Sequence, residues 1–141
     1  ILHGDFKEYA KQTIKNAQVM AKEFIAKGYR VISDGTDNHL LVVDMTGKGV
    51  SGLDAEKIME IIGISASRST IPNDPNPPMN PSGVRFGTPA LTTRGMKEEE
   101  IKRIVTWIDS AITNKEEIEV LDNIKSDVEK LCNEFPIPTD K

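Results

Sequence analysis

The most constraining feature of this chain is a proline-rich stretch from Ser67 to Gly95, which reads SRSTIPNDPNPPMNPSGVRFGTPALTTRG. It holds six of the eight prolines, namely Pro72, Pro75, Pro77, Pro78, Pro81 and Pro89. Because each proline fixes φ and removes a backbone donor, so dense a run excludes a helix or a central strand. The run leads directly into a strand-like segment, GVRFG (residues 83–87), with Arg85 at its middle. We therefore interpret the run as a stiff loop that delivers one cation to a fixed place, as a binding element does.

Length, charge and cysteine content restrict the class of protein. A chain of 141 residues suffices for one ordinary domain with its own core. The net charge of -4 and the lack of a basic stripe argue against a nucleic-acid partner. The single cysteine, Cys132, excludes an internal disulfide and fits a reducing compartment. Its place near the apolar side of a predicted helix predicts a packed thiol and not a reactive one.

Membrane and secretory signals do not emerge from the sequence. No apolar run approaches membrane-spanning length, and the first residues, ILHGDFKEYAKQ, do not have the form of a signal peptide. We therefore expect a cytoplasmic protein with no membrane partner. The start at Ile1, without a methionine, suggests a chain cut from something larger.

Hydrophobic periodicity predicts the element order α-β-β-α-loop-β-α-α. Hairpin-linked strands with several helices favour an α+β fold, a small, mostly antiparallel sheet covered by helices, over a doubly wound parallel sheet. The predicted elements are a helix from Asp5 to Gly28, strands over 29–33 and 39–45 around a turn over 34–38, a helix capped by Ser51 that ends at Ile62, a strand over 84–87, a long helix through 101–112, and a last helix opened by Asn114.

Arg85 is the first candidate site residue, with two interpretations. An arginine in a strand is usually a solvated edge residue. Here, however, Gly83 and Gly87 flank it at alternate positions, which removes side chains on its own face and leaves room for a ligand or another backbone. A guanidinium in such a slot suits bidentate capture of a planar carboxylate, which lysine cannot match.

Three other loop features have mainly structural interpretations. His39 ends a turn and begins a strand, and no second histidine is placed to share a metal ion with it. Asp74 in Pro-Asn-Asp-Pro is expected to shape a turn. The overlapping PxxP matches within residues 72–81 are expected to form a rigid loop, although they formally fit a proline-motif ligand.

Arg94 precedes a predicted helix N-terminus, which is unfavourable for a cation, so we expect a structural salt bridge or a partner outside this chain. The sequence contains no phosphate-binding glycine loop, no nucleophile beside a base and no metal-ligand cluster. By its own residues the chain does not have the form of a complete enzyme.

Three segments in register resemble a known family: TDNHLLVVD (36–44), STIPNDP (69–75) and SGVRFGTPALTTRG (82–95). Their order and spacing are similar to the C-terminal part of serine hydroxymethyltransferase, a fold-type I pyridoxal-phosphate enzyme. The resemblance implies a role in one-carbon metabolism, in which serine and tetrahydrofolate are interconverted with glycine and 5,10-methylenetetrahydrofolate. It also implies a homodimer or homotetramer for the full-length protein.

The resemblance also implies roles for particular residues. Arg85 matches the arginine that holds the carboxylate of the amino-acid substrate. Ser69 stands where the family usually has an asparagine that hydrogen-bonds the pteridine. Pro77, Pro78 and Met79 occupy the usual Ser-Pro-Phe folate segment, of which Pro78 alone is unchanged. These departures imply altered folate contacts or a modified pterin carrier.

The family's Schiff-base lysine lies in a Thr/His-rich segment of the large domain, which this chain lacks. We therefore expect residues 1–141 to form the C-terminal domain alone, without the N-terminal arm or the lysine-bearing large domain, and to be inactive in isolation. The alternatives are a stand-alone amino-acid-binding or regulatory module, a domain of another fold-type I pyridoxal-phosphate enzyme, and a proline-motif interaction domain.

Overall fold

The computed structural model describes residues 3–32 and 40–136, so the predicted turn over 34–38 and His39 lie outside the described residues. Within them, a 3₁₀ turn (Thr46–Lys48) precedes the second helix. The helices and strands are α1 (His3–Ala26), β1 (Arg30–Val31), β2 (Leu40–Asp44), α2 (Gly52–Ile62), β3 (Ser67–Ser69), β4 (Gly83–Gly87), α3 (Pro89–Thr93), α4 (Glu98–Thr113) and α5 (Ile118–Glu134). The strand β3 and the short helix α3 add to the predicted order.

The strand β4 lies inside an antiparallel sheet whose strand order is β1-β2-β4-β3. Arg85 of β4 is opposite Val42 of β2 on one side and Ser67 of β3 on the other. The interpretation of Arg85 as an edge residue is therefore wrong, because its strand is paired on both sides. The small antiparallel sheet with its helices confirms the predicted α+β fold.

The helices cover one face of this sheet. Val84 and Phe86 of β4 point into the core and are 0% and 2% exposed. The helix α1 packs against α4, and α2 packs against both α4 and α5. The largest fully buried side chains include Phe24, Met20, Met45, Met59, Ile62, Met96, Ile101, Ile108, Ile112 and Leu131. Because side chains alternate along a strand, Gly83, Arg85 and Gly87 lie on the opposite face.

The helix α2 begins and ends at the predicted residues, because the signals for both ends lie in the adjacent sequence. The Ser51 hydroxyl accepts a hydrogen bond from the Asp54 amide at 3.1 Å, as an N-cap does. Gly63 ends the helix with φ of 83°, in the left-handed region that glycine adopts without a steric penalty.

Two predicted helix starts are wrong. The helix α1 already begins at His3, so Asp5 lies inside it and not at its N-cap. Asn114 ends α4, where its side-chain amide donates to the Ser110 carbonyl at 2.8 Å, and α5 begins later, at Ile118. At both places an acceptor residue is followed three positions later by glutamate (Asp5 with Glu8, Asn114 with Glu117), which is the pattern of a capping box, but neither acceptor is the N-cap of its helix.

Candidate functional site

Arg85 projects from the middle of β4 on the face of the sheet that the helices leave uncovered. Its side chain is exposed, whereas its neighbours Val84 and Phe86 are buried on the other face. Among the described residues, no hydrogen bond or ion pair holds the guanidinium. The sheet therefore fixes the backbone of Arg85 from both sides while its charged group stays available.

The two glycines beside Arg85 differ in what occupies their space. A Cβ at Gly83 would lie 2.9 Å from both the Ser69 carbonyl oxygen and Ile71 Cγ2, so the protein itself fills that position. Gly87, at the other end of the strand, lines an open cavity together with Arg85. The sequence predicted room for a ligand or another backbone beside Arg85. A neighbouring backbone approaches at Gly83, whereas Gly87 lines the cavity next to the arginine.

The cavity beside Arg85 has a volume of ≈ 380 Å³. Its lining consists of Leu40, Ser65, Ala66, Ser67, Arg85, Phe86, Gly87 and Ala90. A second, more enclosed cavity of ≈ 230 Å³ shares four of these residues and continues between helices α3, α4 and α5. The lining side chains other than Arg85 are uncharged, and most are small, so this open cavity can accept a small anion at the arginine.

The segment between β3 and β4, residues 70–82 (the proline loop), is folded around the carboxylate of Asp74. One carboxylate oxygen accepts from the amides of Ile71 (3.2 Å) and Ser82 (3.0 Å). The other accepts from the Asn76 amide (2.9 Å) and the Ser82 hydroxyl (2.7 Å). The Ser82 amide and hydroxyl, with the other two amides, lower the pKa of Asp74 from 3.8 to about 2. The predicted turn-forming role of Asp74 is confirmed.

The end of the proline loop is held against the start of α2. The Gly52 amide donates to the Pro81 carbonyl at 2.6 Å, and the Met45 amide donates to the carbonyl of buried Ser82 at 2.9 Å. A Cβ at Gly52 would lie 2.7 Å from the Pro81 oxygen, so this approach requires glycine. The helix and the loop exit therefore form one packed unit immediately before Arg85.

The proline loop does not have the form of an extended PxxP ligand. Asn73 has φ of 58°, in the left-handed region, which interrupts a polyproline helix between Pro72 and Pro75. Pro81 is buried in the junction with α2. These contacts support a rigid loop and argue against the proline-motif alternative.

The structure places the predicted folate residues at two positions. Ser69 ends β3 opposite Gly83, and its half-buried hydroxyl donates to the Thr70 carbonyl at 3.3 Å. Pro77, Pro78 and Met79 (the loop tip) are exposed in a turn that an Asn80–Pro77 backbone hydrogen bond closes. Met79 is 76% exposed. Ser69 and Arg85 thus lie on neighbouring strands, and the loop tip lies beyond them.

A buried polar network that sequence reasoning missed anchors the chain after β4. Thr88 donates to the Thr13 carbonyl at 2.7 Å, and Asn16 donates to Thr92 and to the Met96 carbonyl, both at 3.0 Å. These bonds tie α3 to α1 and so fix the far end of the strand that carries Arg85. Threonine followed by proline at residues 88–89 is a helix-start signal that could have revealed α3.

Arg94 and Cys132 meet at the end of α5. The Arg94 guanidinium donates to the backbone carbonyls of Cys132 (3.2 Å) and Phe135 (2.9 Å). The predicted salt bridge is therefore wrong, because the partners are carbonyls at a helix C-terminus, where a cation is favourable. The Cys132 thiol is half-buried against the core, as expected for a packed thiol.

Residues 3–32 and 40–136 contain neither a cluster of metal ligands nor a membrane-spanning helix. No group of three or more His, Cys, Asp or Glu side chains within these ranges could hold a metal ion. None of the helices described there combines the length and the apolar character needed to cross a membrane.

Comparison with known proteins gives a consistent result. The family model described as "Serine hydroxymethyltransferase" matches residues 1–108. A protein named serine hydroxymethyltransferase from Acidobacterium capsulatum is 46% identical over 136 residues, which cover 96% of this chain and 32% of the relative. One of the same name from Halorhodospira halophila is 43% identical over 136 residues, 96% of this chain and 33% of the relative. The chain thus spans about a third of the length of these relatives.

Proposed function

Because this chain belongs to the serine hydroxymethyltransferase family, we propose that it is the C-terminal domain of an enzyme that transfers a one-carbon unit between serine and tetrahydrofolate. The products of the forward reaction are glycine and 5,10-methylenetetrahydrofolate. In this proposal the domain binds part of each substrate, and the whole protein works as a homodimer or homotetramer in the cytoplasm.

The observation that carries the proposal is the setting of Arg85. Its backbone is fixed between two strands, its side chain is exposed, and a cavity of ≈ 380 Å³ opens beside it. A planar guanidinium donates two parallel hydrogen bonds to a carboxylate, which fixes the orientation of an amino acid as well as its position. Orientation of this kind lowers a reaction barrier by removing rotational freedom before the chemical step.

The loop tip and Ser69 are the proposed contacts for the folate. Pro77, Pro78 and Met79 are exposed at the end of a loop that Asp74 holds in shape. Prolines lose little entropy on binding, and a methionine offers an adaptable apolar surface to a flat ring. Ser69 supplies one hydroxyl, which makes fewer hydrogen bonds than the asparagine usual at that position.

The described residues do not fit the pyridoxal-phosphate site. That cofactor supplies an electron sink for reactions at the α carbon of an amino acid, and it needs a lysine in a desolvated setting. Every lysine among residues 3–32 and 40–136 is exposed or half-buried. In our proposal the cofactor is therefore held by residues outside this chain, and the 141-residue chain alone has no transferase activity.

The test uses the complete reading frame that encodes this chain, with serine and tetrahydrofolate as substrates. We expect Arg85→Ala to lower kcat/KM for serine by about a hundredfold, since a charge-assisted bidentate contact is lost. Arg85→Lys is expected to recover only part of this loss, because lysine cannot form the parallel pair. Arg103→Ala, which removes an exposed arginine stacked on Trp107, is the matched control. If Arg85→Ala left kcat/KM for serine unchanged, the carboxylate assignment would be abandoned.

A further inference from the structure

One carboxylate organises the whole proline loop. Asp74 accepts a backbone amide from the start of the loop (Ile71), one from its middle (Asn76) and one from its end (Ser82). It also accepts a hydrogen bond from the Ser82 hydroxyl. The oxygen of that hydroxyl in turn accepts a hydrogen bond from the Asn76 side-chain amide at 2.8 Å. Ser82 is 0% exposed, so water cannot replace the hydroxyl contact without opening the loop.

The loop tip depends on this carboxylate more than Arg85 does. The backbone of β4 is independently held by its pairing with β2 and β3, and the loop exit is held by the Gly52–Pro81 hydrogen bond. Residues 77–79 belong to no strand or helix, and their position follows from the fold of the loop on either side. Loss of the Asp74 contacts would therefore disorder the tip while leaving the arginine in place.

We propose that Asp74 is a positioning residue that holds residues 77–79 ready for the pterin-bearing substrate, separately from the site at Arg85. This inference rests on the proposed function and adds that the loop tip and Arg85, which serve different substrates, are held in place by different contacts. Asp74 touches neither substrate. It acts by keeping the loop tip in its binding shape. The apparent affinity for the pterin-bearing substrate is proportional to the fraction of molecules that keep this shape.

The decisive experiment is steady-state kinetics of Asp74→Asn in the complete protein, with each substrate varied in turn. Asparagine has an NH₂ group in place of one carboxylate oxygen. This group is a donor and cannot accept the two hydrogen bonds that the oxygen accepted, so two of the four hydrogen bonds to residue 74 are lost. We expect KM for tetrahydrofolate to rise about tenfold, while KM for serine and kcat stay within about twofold. Asp122→Asn, at an exposed position of α5, is the matched control and should change none of these values.

A second variant and a direct measure of order complete the test. Ser82→Ala removes the hydroxyl but keeps the amide contact, so it should raise KM for tetrahydrofolate by a smaller factor, about threefold. Amide hydrogen exchange at Asn76 and Ser82 should accelerate in both variants. Ser82→Ala alone decides the matter if Asp74→Asn does not fold.

Two results would overturn the inference, and they are distinguishable. If the wild-type protein is active but the variants lose thermal stability and kcat with both KM values unchanged, Asp74 is merely structural and the inference fails alone. If the wild-type protein transfers no one-carbon unit, the proposed function fails and the inference fails with it.

Discussion

Replacement of Gly52 by alanine tests the close approach between α2 and the proline loop. Alanine is the better helix former, so on propensity alone this change in the first residue of α2 should stabilise the chain by up to about 1 kcal/mol. In the structure, however, the new Cβ would lie 2.7 Å from the Pro81 carbonyl oxygen and closer still to that of Gly83. Both oxygens belong to backbone that the sheet and loop hold in place.

The steric cost exceeds the gain in propensity. Overpacking against fixed groups costs about 1–3 kcal/mol, and displacement of the helix weakens the Gly52–Pro81 hydrogen bond, worth about 1 kcal/mol. The net expectation is a loss of about 2 kcal/mol in the free energy of unfolding. For a domain of this size that corresponds to a melting temperature lower by roughly 6 °C.

The measurement is urea denaturation of the 141-residue chain followed by circular dichroism, with Gly47→Ala as the control. A Cβ at Gly47 meets no atom within 4 Å, so that variant should be neutral or slightly stabilised. Should Gly52→Ala unfold at the same urea concentration as Gly47→Ala or higher, the close approach would not constrain the loop, and the reasoning would be refuted.

Two further predictions concern stability. The Lys15 ammonium lowers the pKa of Glu98 from 4.5 to about 2, and the pKa of Asp74 is also lowered to about 2. Because both carboxylates bind protons more weakly in the folded state, the free energy of unfolding should fall as the pH drops from about 4.5 to 2. A urea midpoint that stays constant across that range would contradict this. Asn16→Ala should lower the free energy of unfolding by about 2–3 kcal/mol, because the buried Thr92 hydroxyl and Met96 carbonyl lose the donor that they share. Urea titration measures this loss, with Gln18→Ala at an exposed position of the same helix as the control.

The sequence predicted those parts of the fold whose signals are local. The N-cap Ser51 and the predicted helix end at Ile62, directly before Gly63, are local signals at the two ends of α2, and the structure confirms both. Asp74 was also predictable as a turn residue, since its partners are within eight positions. The identity of Arg85 as a candidate followed from its residue type and the glycines around it.

Features that depend on distant parts of the chain could not be predicted. The strand β3 reads Ser-Arg-Ser and has no apolar alternation, so only its pairing with β4 reveals it. Arg94 finds its acceptors 38 and 41 positions away, at the end of a helix whose placement the sequence does not specify. Gly83 was expected to face free space or another backbone, and tertiary packing against Ser69 and Ile71 decides which.

The placement of β4 between two earlier strands has a consequence for synthesis of the chain. β2 has the sequence LLVVD and pairs with β1 on one side. Its other edge pairs with β4 and stays unpaired until residues 83–87 have been synthesised. Until those residues leave the ribosome, an apolar strand presents unpaired amides and carbonyls, which is the template on which chains aggregate. A nascent chain halted after α2 is therefore expected to be the aggregation-prone species, and the arrival of the arginine strand is the event that ends that hazard.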